Sequence, residues 1–192
     1  MVATINAEEN GLITYSDLLW QLALELDVPL DRPRREDLQR ALQTVIDQRL
    51  IALEAEKLPA IAPTDKEINT ALTELIQAFP SRADFEQRLR RVGLTAEQLR
   101  EVVLRRRVAT EKYVNFRFRS FTFPIRQEVE AYYADVYVPR ERRRAPGRIV
   151  PRLEEVFADV EKELTESRVA SDIGAFIESA RSSAAIVYLN SL

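Results

Sequence analysis

The chain has 192 residues and an apolar fraction of 46%, enough for one compact core or two small ones. It holds no cysteine and no histidine, which excludes disulfides, thiolate nucleophiles and thiolate metal sites and removes the usual neutral-pH general base and nitrogen ligand. A formal charge of −3 and a pI near 5.3 give no overall field that would draw the chain to nucleic acid.

In chain order, Val2 to Ile5, a polar turn from Asn6 to Gly11 and Leu12 to Thr14 read as a short β-hairpin. Ser16 and Asp17 offer an N-cap for a helix with Leu18, Leu19, Leu22 and Leu26 on its apolar side; Trp20 lies off that stripe. A second helix is expected from about Pro33 to Leu58, with Leu38, Leu42, Val45, Ile46, Leu50 and Leu53 on one face. Thr64 and Glu67 form a capping box for a third helix whose inward residues are Ile68, Leu72, Leu75, Ile76 and Phe79.

Ser81 opens a short helix carrying Phe85, Leu89 and Val92, and Gly93 closes it. Thr95 and Gln98 cap the next, long helix, for which a 3.6-residue period places Leu99, Val102, Val103, Ala109, Tyr113 and Phe116 on one side, with Arg106 on the same seam. "FRFRSFTFP" loses that period; Phe118, Phe121 and Phe123 are expected to pack in the core and Phe116 to be exposed. A helix from Pro124 carries Val129, Tyr132, Tyr133 and Val136, and "VYVPRERRRAPGRIVP" reads as a solvated, arginine-rich joint kept flexible by Pro146 and Gly147. Leu153 to Leu164 and Ile173 to Ala180 mark further helix, and Ala185 to Leu189 is a β-branched and aromatic run that reads as a strand. A lone strand exposes unpaired backbone, so it is expected to join the N-terminal hairpin in a small sheet.

The order of these segments, "ITYSDLLW", "VIDQRLIALEAEKL", "APTDKEINTAL", "SRADFEQRLRRVGLTAEQLREVVLRRRVATEKYV" and "FTFPIRQEVEAYYADV", resembles the N-terminal chaperone region of the SurA family, related to PrsA and trigger factor. The resemblance runs roughly from Val2 to Val138, and "FIESARSSAAIVYL" is similar to the helix and strand that return to complete the core in that family. It implies a mostly α fold with a small sheet, in one domain over 1–192: an N-terminal segment over 1–138, an arginine-rich joint 139–149 in place of the family's parvulin domain, and a returning segment 150–192.

The implied function is ATP-independent holding of unfolded, exported or outer-membrane polypeptides in the periplasm, without prolyl isomerase activity and without a cofactor. Trp20, Phe79, Phe85, Tyr113 and Phe116 are the candidate peptide-binding residues, lining a crevice between the helical body and the returning helix. The alternative is a dimerisation or scaffold module with one dedicated partner, in which the short tether favours exchange of the C-terminal segment between two copies. No nucleic-acid partner, metal or catalytic residue is expected, and no stretch approaches the roughly twenty apolar residues that cross a bilayer. The opening residues lack the basic start and apolar run of a secretory signal, which is expected to be absent or already removed.

Overall fold

A computed structural model describes residues 2–7 and 9–189. Among them are seven helices and a three-stranded antiparallel sheet. The strands are β1 (Ala3–Ile5), β2 (Leu12–Ile13) and β3 (Ile186–Tyr188), in the order β2-β1-β3. Ala3 faces Ile13 on one side and Tyr188 on the other, and Ile5 faces Ile186. The two distant stretches of the sequence therefore meet in one sheet, as the need to pair a lone strand requires. The chain divides into two compact units, one of residues 1–113 with 177–192 and one of residues 114–176.

In the first unit, helix α1 (Tyr15–Ala23) starts from Thr14 rather than from Ser16 or Asp17. The Thr14 hydroxyl accepts from the Asp17 backbone N–H and the Asp17 carboxylate accepts from the Thr14 backbone N–H, so Asp17 completes the cap from the third helical position. Helix α2 (Arg35–Glu56) lies against α1 and buries Leu38, Leu42, Val45, Ile46 and Leu50. These join Val2, Ala3, Ile5, Ile13, Leu18 and Leu22 in one core cluster, closed by Ala180, Ala184 and Ile186. Leu26, expected on the apolar side of α1, lies beyond its end and is exposed.

Helices α3 (Asp65–Gln77) and α4 (Arg82–Arg91) are capped by Thr64 and Ser81, and Gly93 ends α4 with φ of 66°, the left-handed conformation that glycine adopts without a Cβ clash. Helix α5 spans 96–117 in three stretches: Ala96–Gln98, a π-helical stretch Leu99–Leu104, and Arg105–Arg117. A second cluster gathers Ile68, Leu75, Phe79, Phe85, Leu89, Leu94, Leu99 and Leu104. The π turn inserts a residue, so the buried side of α5 runs Leu99, Leu104, Val108, Tyr113 instead of following the uniform period. Val102, Val103 and Ala109, expected inside, are only half-buried, and Phe116 is exposed.

The second unit is a helical hairpin. Helix α6 spans 126–144, as Arg126–Tyr132, a π-helical stretch Tyr133–Tyr137, and Val138–Arg144; helix α7 is Leu153–Ser183. Val129, Val160 and Leu164 are buried between them with Tyr132, Tyr133, Tyr137 and Phe157 packed around. The expected joint is thus largely helix: it is ordered to Arg144, and only the turn with Gly147 at φ 84° is left. Its Arg140 is bound to Glu163, and the Tyr132 hydroxyl donates to the same carboxylate at 2.7 Å. Opposite charge and a hydrogen-bonded tyrosine hold the start of this segment, while Arg142, Arg143, Arg144 and Arg148 stay exposed to solvent as expected. Helix α7 begins at Leu153, and the chain from Ile177 onward belongs to the first unit.

Candidate functional site: an apolar groove

The end of α2 carries alanines at 52 and 55, where a side chain stops at Cβ, and the chain then turns through Leu58 and a 3-10 stretch, Pro59–Ile61, into Pro63. Opposite stands the section of α5 that the π turn has rotated, with Val102, Arg106 and Ala109 facing the same space. Together they enclose an open groove of about 500 Å³ within the first unit, mostly apolar in its lining. Small residues on both walls create the volume, and Pro59 and Pro63 stand in the turn along its edge.

Charges edge the groove. Arg105 donates to Glu101 from Nε at 3.1 Å and Nη2 at 2.6 Å, and Glu56 accepts from Asn10 Nδ2 at 3.1 Å. Arg106 has no hydrogen-bonded acid among the described residues. Burial pushes its guanidinium below the usual value, against which the charges of Asp17 and Glu56 act through space. Arg49 behind it donates to the Asn10 carbonyl at 2.7 Å, and burial first, then repulsion from Arg106, brings it down to about 10. Arg106 also borders a second, smaller cavity of about 40 Å³, into which Trp20 and Thr110 face. The indole N–H of Trp20 and the hydroxyl of Thr110 are buried without a partner.

Of the sequence-derived candidates, Phe79 and Phe85 pack edge to face with ring centroids 5.1 Å apart in the second core cluster, against which Trp20 also rests. Tyr113 is buried on α5. Phe79, Phe85 and Tyr113 are thus buried and Trp20 is partly buried beside the small cavity. Phe116 is 48% exposed in the second unit and meets Phe121 edge to face at 6.4 Å. Phe121 and Phe123 are 72% and 78% exposed, contrary to the expected core positions, because a 3-10 turn and an extended stretch before Pro124 carry them away from the helical faces. Phe118 alone of that run packs inward, on Phe176 at 5.7 Å.

A cavity of about 410 Å³ lies between the end of α2 and the end of α7; its lining mixes Leu50, Leu53, Ala180 and Ala184 with Asn10, Glu54 and Lys57 and contains no aromatic side chain. Sequence reasoning missed the apolar groove; the signal was the run "ALEAEKLPAIAP", with alanines at helical spacing followed by two prolines. No family model, no curated protein and no solved structure matches the chain. No helix among the described residues is long and apolar enough to cross a membrane.

Proposed function

We propose that the protein is an ATP-independent holding chaperone for unfolded or extended segments of exported polypeptides, in the periplasm, without prolyl isomerase activity. The groove between the end of α2 and α5 carries this reading: it is preformed, open and apolar, with small side chains on its walls. The exposed Phe116, Phe121, Phe123 and Ile125 of the second unit add apolar surface of the kind that contacts non-native chains. Burial of apolar area contributes about 25 cal/mol per Å², so a short segment binds weakly and leaves without a nucleotide.

The test is light scattering of a denatured outer-membrane β-barrel protein diluted with the parent, with Ala109→Trp, which fills the groove, and with Phe121→Ser/Phe123→Ser. The parent delays aggregation, and both variants delay it less while retaining parental helicity by circular dichroism. A folded parent with no effect on aggregation rejects the reading.

A second reading, a dimerisation or scaffold module with one dedicated partner, draws on β3. It is an outer strand of the sheet, and Val187 and Tyr188 on it are about half exposed, which suits pairing with another strand. Sedimentation equilibrium separates the two: a concentration-dependent dimer abolished by Val187→Pro supports the second.

A further inference from the structure

The groove's polar groups are unequally satisfied. Glu101 and Arg105 neutralise one another, Arg100 adds a bond to Glu101 at 3.0 Å, and Glu56 is held by Asn10. Arg106 alone of the charged residues lining the groove has neither a hydrogen bond nor an ion pair within the described chain. Two polar groups that border the same small cavity, the Trp20 indole N–H and the Thr110 hydroxyl, are also buried without a partner. Trp and Arg only donate, and neither the Trp20 N–H nor Arg106 has a bonded acceptor among the described residues. Asp17 borders the small cavity; its Oδ2 accepts from the Thr14 backbone and hydroxyl at 2.8 and 2.6 Å, its Oδ1 faces Arg49 at 3.8 Å, and it acts on Arg106 only through space.

We propose that the groove selects polypeptide segments in which an aspartate or glutamate is flanked by apolar residues, the side-chain carboxylate seated on Arg106. The inference rests on the chaperone reading and names the segments it favours. The guanidinium presents a planar fork that matches a carboxylate with two parallel bonds, and partial burial strengthens them. Flanking apolar residues cover Ala52, Ile61, Val102 and Ala109. Glu56 on the same wall repels a carboxylate placed beside it, and Arg105 is already paired with Glu101, which leaves Arg106 as the seat. Because the groove is open, an extended chain can cross it and lower one side chain without ending there.

Fluorescence anisotropy with two labelled apolar peptides, both acetylated and amidated and differing only by a central Glu or Gln, tests this. The Glu peptide binds the parent about tenfold more tightly at low salt, the size of one charge-assisted hydrogen bond. That preference disappears in Arg106→Gln and partly persists in Arg106→Lys. Equal binding of both peptides by the parent overturns the carboxylate seat while the chaperone reading stands, whereas binding of neither overturns both. A Gln peptide with a free C-terminal carboxylate that matches the Glu peptide would seat a chain end on Arg106 and overturn the proposal. So would Arg106-dependent binding of dodecanoate in the absence of Glu-peptide binding.

Discussion

Arg181 Nε donates to Asp47 Oδ1 at 2.7 Å, joining α7 to α2 across 134 positions of sequence. The same guanidinium reaches the Gln43 side-chain oxygen at 2.6 Å and its carbonyl at 3.3 Å. Ala180 and Ala184, on either side of Arg181, close the first core cluster, so the charged contact sets the register in which the small residues pack. Arg181→Ala is expected to lower stability by about 1–2 kcal/mol, and a double-mutant cycle with Asp47→Ala to give a coupling of about 0.5–1 kcal/mol by urea unfolding. A coupling of zero would mean that the alanines position the helix without help.

Arg88 is the other long-range clamp. Its guanidinium donates to the carbonyls of Leu22, Ala23 and Val28 at 3.0 Å each and to that of Glu25 at 2.5 Å, gathering oxygens at and beyond the end of α1, of which that of Leu22 also accepts from the Glu25 N–H. Arg88→Leu removes the side-chain donor from all four carbonyls and is expected to cost about 2–4 kcal/mol in chemical denaturation. Arg88→Lys, with a point charge in place of the fork, falls between it and the parent.

Acid sensitivity has a specific source. Glu67 accepts from Lys112 and from the Thr64 backbone and hydroxyl, which lower its pKa from 4.5 to about 2. Because the folded-state value lies below the unfolded one, the stabilisation is fully present above about pH 4.5 and is lost as the pH falls toward 2. Glu67→Gln should melt about 2 °C below the parent at pH 7, with the gap closing over that interval. A gap that stays constant from pH 7 to pH 2 would assign the effect to shape instead of charge.

At Gly11 the backbone passes so close to β1 that an added Cβ would lie 2.0 Å from the Ile5 carbonyl oxygen. Gly11→Ala must push the hairpin apart. A loss of about 2 kcal/mol or more is expected by thermal unfolding, compared with about 1 kcal/mol for Gly93→Ala, where nothing lies nearby and only the positive φ is strained.

Elements with local chemical punctuation were legible in the sequence. The Thr64/Glu67 and Thr95/Gln98 boxes and the stop at Gly93 fall where their residue types place them, and the pairing of the terminal strand with β1 follows from its unsatisfied backbone. The π turn in α5 carries no such mark. A single inserted residue moved Leu104 and Val108 inward and Val102 out to the groove, so the assumption of one period misassigned the face. The groove was illegible for a different reason: it is made of the volume that Ala52, Ala55 and Ala109 lack, on segments some fifty positions apart, and periodicity reports where side chains are, not where they are missing. The arginine-rich joint is solvated as its charge density suggests, but its helical first half was not legible, because the Arg140 contact with Glu163 lies across the sequence.

The sheet also imposes an order in time. Asn6 donates from its backbone N–H to the carbonyl of Ala185 and accepts with its side chain from the same residue's N–H, 179 positions downstream. A ribosome delivers the β1 hairpin first and must add the whole of α1 to α7 before the strand that covers its open side exists. The hairpin of α6 and the first half of α7, contiguous in sequence, can form in that interval. Closure of the first unit is a non-local event that waits on β3, and the strand that emerges among the earliest stays bare the longest.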